Sequence, residues 1–426
     1  MKVLLISANT EQMNMPVLPL GMAYVAAAAQ NAGHEIKTLN LMMVQSIHGR
    51  IKAAIKEFNP EVIGISVRNI DDQISDRPNF MLEKVKAVVA ECRSLSGAPI
   101  VLGGAGYSIF PKSALKYLKA DMGIQGEGEK NFVMLLDRLE HKADLSGIPG
   151  LHLAKSGDQE KCRFTRNLDD LPQPRPKIHI DLPSSIQAEE VYLPIQTRRG
   201  CPMNCSYCST AAIEGRILRK HSVDRALDFL RQYVDVGFER FFFVDNTFNF
   251  PLSYAKALCD RIIATGLNIK WRCILYPWKI NDELVGKMAE AGCKEVALGF
   301  DSGSEPILKG LNKKFKPDDI RKISVMLGKQ GIHRMGFLLL GGPGETRDSV
   351  ERSLYFADSL EIEAMKVTTG IRIYPTTRLH RVAVHEGILA LDDDLLFPKF
   401  YIAEGLADWL EETVKDWIEQ RPNWMK

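Results

Sequence analysis

Three cysteines, Cys201, Cys205 and Cys208, fall within eight residues in the stretch RRGCPMNCSYCST, immediately after an extended apolar segment. A structural zinc site wants four tetrahedral ligands, usually as two pairs, and no second pair follows. His221 is a formal candidate for a fourth ligand, but it is distant in sequence and stands where a helix begins. A thiol redox motif needs a single CxxC, which leaves Cys201 without a role. Three thiolates at spacings of four and three on one loop can hold three irons of a [4Fe–4S] cluster. The fourth iron then lacks a protein ligand and is open to a small chelating molecule.

The rest of the chain must present that loop. At 426 residues it is long enough for two or three domains with full cores. The other cysteines (Cys92, Cys162, Cys259, Cys273, Cys293) are scattered, which argues for a reducing compartment and against a disulfide framework. The 55 Lys and Arg against 53 Asp and Glu leave a formal charge of +2, so no global field selects nucleic acid or an anionic membrane. The opening MKVLLISAN is too brief for a signal peptide or a membrane span, so a cytoplasmic protein is expected.

Apolar, β-rich runs alternate with helical patterns from the start. KVLLISA precedes residues 20–30, EIKTLNL precedes 51–58, VIGISVR precedes 80–90, IVLGGAG precedes 111–118, and MGIQGE precedes 130–139. Five such units predict a doubly wound, Rossmann-like parallel sheet with helices on both faces, whose ligands sit at the carboxyl ends of the strands. There the sequence places Ser66, then Gly103, Gly104 and Gly106, then Gly126 and Glu127. Residues 146–190, with LPQPRPK and DLPSS, read as a linker. The alternation then restarts at VYLPIQT and runs through RFFFVDN, KWRCILYP, EVALGFDSG, HRMGFLLLGG and AMKVTTGIRIYP. Six strands over about 190 residues predict a three-quarter (β/α)6 barrel with a lateral opening. The expected domains are therefore 1–145, the linker 146–190, the barrel 191–379 and a helical extension 380–426. In that extension Leu406, Trp409, Leu410, Val414, Trp417 and Ile418 share one helical face, which is expected to pack on the barrel.

CPMNCSYC, with an aromatic residue before its third cysteine, resembles the cluster loop of the radical S-adenosylmethionine (SAM) superfamily. That resemblance implies a [4Fe–4S] cluster on Cys201, Cys205 and Cys208, SAM chelating the open iron, and cleavage of SAM to methionine and a 5′-deoxyadenosyl radical. FFFVDNTFNF is similar to the family's signature after the second barrel strand, and implies SAM contacts at Asp245 and Asn246. GFDSGSEPILKGLNK is similar to the segment that implies contacts at Asp301 and Ser302. LLLGGPGET implies close approach of SAM to Gly341 and Gly342, and IRIYPTT implies adenine reading by Ile373 and Tyr374. Arg272, on the third strand, is a candidate partner for the SAM carboxylate.

The first half is similar to the cobalamin-binding domain of the B12-dependent radical SAM subfamily. The stretches that carry it are VLPLGMAYVAAAAQNAGHEIKTLNL, GISVR, VLGGAGYSIFP and QGEGEKNF. The resemblance implies cobalamin at Ser66, Gly103, Gly104, Gly106, Gly126 and Glu127, with Arg68, Asn69 and Asp71 as further polar contacts. The loop ANTEQMNMPVLPLG lacks the DxHxxG histidine, so a base-off cobalamin without a protein histidine below cobalt is expected; His34 reads as a structural edge residue. The implied activity is methyl transfer from methylcobalamin to an unactivated carbon, with a flavodoxin or ferredoxin supplying electrons and no nucleic-acid partner. The alternatives are a radical cyclisation, rearrangement or oxidation without methyl transfer, a cobalamin-independent enzyme whose first domain is vestigial, and a redox-responsive binding protein.

Overall fold

The computed structural model describes residues 1–11, 18–42, 44, 46–155, 161–176 and 191–426. The DLPSS stretch and residues 12–17 of the loop that lacks the histidine lie outside the described residues.

The first sheet contains β1 (Lys2–Ser7), β2 (Glu35–Asn40), β3 (Val62–Ser66), β4 (Ile100–Gly103), β5 (Met122–Ile124) and β6 (Leu151–Leu153), in the order β2-β1-β3-β4-β5-β6. The first five run parallel, and their apolar runs are buried because helices cover both faces. The sixth was not expected: β6 pairs antiparallel with β5, Met122 opposite Leu153, so the expected linker begins with an edge strand of the first sheet. Three residues, LHL, with two apolar positions give too short a run to be read as a strand; only the exposed edge of β5 makes it one.

The second sheet contains the six expected strands. They are β7 (Leu193–Ile195), followed after the short antiparallel pair β8 (Arg198–Arg199) and β9 (Arg219–Lys220) by β10 (Arg240–Phe243), β11 (Lys270–Leu275), β12 (Cys293–Asp301), β13 (His333–Leu340) and β14 (Ala364–Thr369). The antiparallel pair β15 (Ile371–Arg372) and β16 (Phe400–Tyr401) follows, and β17 (Trp424–Met425) adds parallel to β14. Strand residues alternate: Trp271, Cys273 and Leu275 are buried, whereas Arg272 and Ile274 on the other face are only partly so. The C-terminal helix Ala407–Glu419 buries Leu410 and Val414, and Trp417 meets Tyr355 edge-on at 4.9 Å, as the apolar stripe predicted.

Two sets of buried charges join the halves. Arg199 pairs with Glu129 at 2.7 Å and Glu127 at 3.3 Å, while Arg219 reaches Glu127 at 2.5 Å; all four side chains are under 8% exposed. Asp71 and Arg372 pair at 2.8 Å with side chains 1% and 2% exposed. Ser75 donates to the Thr369 carbonyl at 2.6 Å and Asp76 pairs with Lys426 at 3.0 Å, so the polar segment RNIDDQISDRPNF is a docking strap against the last barrel strand. Asp71, expected at a corrin, is therefore committed to Arg372. Removing one partner of such a pair leaves an uncompensated charge, which costs about 3–5 kcal/mol. Asp71→Ala is expected to lower the melting temperature measured by calorimetry and to expose the strap to limited proteolysis, with Arg372→Ala doing the same.

Candidate functional site

The cysteine loop leaves the barrel through β8, and a single carboxylate fixes that exit. Asp245, fully buried after β10, accepts from the Thr197 backbone N–H at 2.7 Å, the Thr197 hydroxyl at 2.6 Å, the Arg198 N–H at 2.8 Å and the Arg198 guanidinium. Arg198 is itself stacked on Tyr254 and Phe248, 4.5 and 5.0 Å from their ring centroids. Beyond β8, Gly200 has φ +84°, and a Cβ there would lie 2.2 Å from the Ile217 carbonyl, so the turn into Cys201 admits only glycine. Glu214 receives the Gly200 N–H at 3.0 Å and the Asn246 amide at 2.7 Å.

The segment after the helix Glu305–Gly310 clasps the loop from the other side. Asn312 donates to the Asn204 carbonyl at 2.7 Å, and Ser206 N–H donates to the Leu311 carbonyl at 3.0 Å. Lys313 lies 2.5 Å from Asp301, and the Tyr207 hydroxyl donates to Asp301 at 2.6 Å. The three cysteines line one pocket of about 190 Å³ with Thr210, Arg216 and Arg378. Burial pushes the Cys201 thiol up and the Cys205 thiol to about 11, with Lys313 opposing the shift at Cys205. Metal ligation has to displace those protons. Three thiols lining one pocket without a fourth protein ligand are the donor set of a [4Fe–4S] cluster with one open iron. His221 is tied to Asp169 at 3.0 Å and is no fourth ligand.

The residues expected to touch SAM divide into two sets. Asn246 stays beside the loop, donating to Glu214 and lying 3.5 Å from the Thr210 hydroxyl, and Tyr374 lies in the electrostatic field of Cys208. The others are occupied. Asp245 is consumed by β8, Asp301 by Lys313 and Tyr207, and Ser302 by Ser353 at 2.9 Å. The Gly341 and Gly342 amides both donate to Glu345, and a Cβ on Gly341 would press on Leu410 at 3.1 Å. Ile373 N–H bonds to the Lys399 carbonyl at 2.9 Å, and its carbonyl accepts from Arg372 at 2.7 Å. Arg272 is not at the cysteine pocket: it pairs with Glu295 at 3.5 Å and stacks on Tyr192 and Phe242, below the carboxyl end of β11.

The cobalamin candidates divide likewise. Ser66 ends β3 opposite Ser7 and Gly103, and a Cβ on Gly103 would meet nothing closer than a carbonyl at 4.0 Å. Arg68 and Asn69 line a crevice with Asn9, whose buried side-chain nitrogen has no partner among the described residues. An orphaned buried donor beside the strand ends leaves a place for a further polar partner there. Gly104 and Gly106 serve the protein: a Cβ would strike the Val67 carbonyl at 2.6 Å or the Arg68 carbonyl at 2.9 Å. Gly126 makes room for Cys162, 2.4 Å from its would-be Cβ, and Glu127 belongs to the interdomain charges. His34 holds the terminal amine at 3.3 Å and is remote from the strand carboxyl ends. Glu214 lies outside every motif read in the sequence, and Asn312 and Lys313 close the stretch GFDSGSEPILKGLNK without being singled out, because no periodicity or spacing there marks them.

Residues 195–357 match the Radical SAM superfamily profile, and residues 6–136 match the B12 binding domain. The chain thus carries a B12 binding domain ahead of a radical SAM domain. An uncharacterized methyltransferase of Pyrococcus horikoshii is 29% identical over 91% of this chain and 84% of its own length. The cytidylyl-2-hydroxyethylphosphonate methyltransferase of Streptomyces wedmorensis is 26% identical over 99% and 90%. The fold matches that of the radical SAM methyltransferase TsrM from Kitasatospora setae, solved with cobalamin and a [4Fe–4S] cluster, at a TM-score of 0.89, 20% identity and 100% and 92% coverage.

Glu345 gives this site a pH dependence. Burial raises its carboxyl from the ordinary 4.5 to about 7, against the two glycine amides that favour its anion. A raised carboxyl favours folding in full below the unfolded value and loses that contribution as pH climbs to about 7. Stability is expected to fall over this window by at most about 3 kcal/mol, and Glu345→Gln to flatten the fall, as calorimetry at pH 5 and pH 8 would show.

Proposed function

We propose that this protein is a cobalamin-dependent radical SAM methyltransferase that places a methyl group on an unactivated carbon. The observation that carries the reading is the meeting of the two sets of strand ends. Phe110, just past β4, lies 6.2 Å ring to ring from Tyr374 beyond β14, and a Cβ on Gly126 past β5 would come within 3.9 Å of the Ile213 carbonyl in the helix after Cys208. A ligand on the first sheet and one on the cysteine loop thus face a common space.

When bound, the cluster supplies the electron that cleaves SAM, and cobalamin supplies a carrier for the methyl group. Cys201, Cys205 and Cys208 hold the irons. Asp245 and Glu214 fix the backbone that presents the thiols, and Asn312 keeps the loop from opening. Asn246 and Tyr374 stand where they can orient SAM, and Ser66, Gly103, Arg68 and Asn69 where they can seat the corrin and its tail. The buried charge pairs seal the seam between the domains and exclude water from the shared space. Exposed Arg216, Arg378 and Arg381 make the rim of the cysteine pocket positive, which suits an acidic electron carrier of the flavodoxin or ferredoxin kind in a reducing cytoplasm. No helix among the described residues is long and apolar enough to cross a membrane.

The test is anaerobic reconstitution with iron, sulfide and hydroxocobalamin, then iron and cobalt analysis. The wild type is expected to keep about four irons and one cobalt, and the Cys201→Ala/Cys205→Ala/Cys208→Ala variant to lose only the iron. Reduced holoenzyme is then given SAM with a trideuterated methyl group and an acceptor like that named for its relative, a cytidylyl phosphonate. Deuterium on carbon supports the reading. Cobalt that washes away from an iron-loaded protein refutes methyl transfer through cobalamin.

A further inference from the structure

The barrel wall opens where β14 loses its outer neighbour. β17 pairs with β14 only at Met365 and Lys366, and beyond that point the strap of residues 68–80 takes over, with the Ser75 hydroxyl on the Thr369 carbonyl at 2.6 Å. Between the two lies a cavity of about 230 Å³, lined by Lys366, Thr368 and Phe337 of the barrel, Asp72 and Gln73 of the strap, and Lys426. Along β14 the residues alternate: Met365, Val367 and Thr369 are buried, whereas Lys366 and Thr368 are only partly so and stand on the opposite face. Phe337 is the neighbour of Lys366 on β13.

Three charged residues line the cavity, and two of them are accounted for. Lys426 pairs with Asp76 at 3.0 Å and with Glu411. The Asp72 carboxylate accepts from the Ile74 and Asn79 backbone N–H groups, both at 3.1 Å, and so holds the turn of the strap. The Lys366 ammonium has neither an ion pair nor a hydrogen bond among the described residues. The Thr368 hydroxyl and the Gln73 amide on the same cavity are likewise without a partner there, and Gln73 is held at φ +62°, a left-handed backbone that a residue with a Cβ adopts at a cost. A half-buried ammonium gives up part of its hydration, and an apolar side chain would line the wall without that loss. What this ammonium lacks is an anion.

We propose that the cavity holds an oxyanion of the methyl acceptor, a phosphate, phosphonate or carboxylate, on the Lys366 ammonium, with Thr368 and Gln73 as neutral donors and Phe337 as an apolar wall for the acceptor's body. This rests on the reading of the protein as a methyltransferase. A lysine meets such a group as a point charge, and flanking hydroxyl and amide donors serve the remaining oxygens. Lys366 stands three residues before the end of β14, about 10 Å at the rise of a strand. An acceptor anchored there reaches toward the strand ends, where the ligands of the two sheets face a common space, and its charged end stays clear of the reacting carbon.

The test is isothermal titration calorimetry of the full-length protein, reconstituted with iron, sulfide and hydroxocobalamin, with phenylphosphonate in a phosphate-free buffer. The wild type is expected to give a saturable heat, Lys366→Met to weaken binding at least about tenfold, and Lys366→Arg to stay near wild type. Arg378→Ala/Arg381→Ala, which removes cations at the rim of the cysteine pocket, should leave the affinity unchanged. A wild type without saturable heat, a Lys366→Met protein that binds as the wild type does, or binding that vanishes with Arg378 and Arg381 overturns the inference. On the acceptor that takes up deuterium, Lys366→Met should raise KM at least about tenfold and leave kcat within about twofold; an unchanged KM overturns the assignment of the anion to the acceptor. Phenylphosphonate held by a protein that transfers no deuterium refutes methyl transfer and leaves the anion site standing.

Discussion

The exit of the cysteine loop from the barrel depends on one buried carboxylate. Asp245 spends its oxygens on two backbone amides, one hydroxyl and one guanidinium of Thr197 and Arg198. Charge-assisted bonds of this kind are short and directional, and in a water-free setting nothing competes for them. They fix β8, β8 fixes the sharp turn at Gly200, and the turn fixes the direction in which the thiols point. Arg198 repays its burial twice, by closing the carboxylate's shell and by stacking between Phe248 and Tyr254, which tie the exit to the helix that follows β10.

The same economy governs the seam between the domains. Arg199, the neighbour of Arg198, faces away from Asp245 and into Glu127 and Glu129 of the first domain. Adjacent residues on a two-residue strand point to opposite sides, so one strand binds the barrel interior with one side chain and the other domain with the next. The loop is thus clamped between two bodies, and a shift of the first domain would act on the cysteines through a single intervening residue, Gly200. At the far end Asp71 and Arg372 do the equivalent work for the last barrel strand.

Motifs read along the chain located the neighbourhood of the site more faithfully than the partners within it. Asp245, Asp301, Gly341 and Glu127 all lie close to the places where ligands were expected, yet each is engaged by the protein. A strand-end motif marks where backbone converges; whether its polar groups face a ligand or brace the backbone depends on residues remote in sequence. Asp301 is the plainest instance: its partner Lys313 is twelve positions on, and the Tyr207 that it also binds is ninety-four positions back. The charged strap of residues 68–80 was equally ambiguous, because its partner Arg372 lies 301 residues away.

The sequence by itself determined the class of cofactor chemistry and the two-sheet architecture, since ligand spacing on a short loop and the period of apolar runs are local properties. It also determined where each sheet's ligands must lie, because parallel strands expose their carboxyl ends on one edge. Only the tertiary structure decided which charges are buried against each other, that β6 completes the first sheet, and that an ammonium from the fourth barrel strand's loop stands beside the cysteines. Those outcomes turn on distances between residues tens to hundreds of positions apart, and no local pattern encodes a pairing that exists only once the chain has closed.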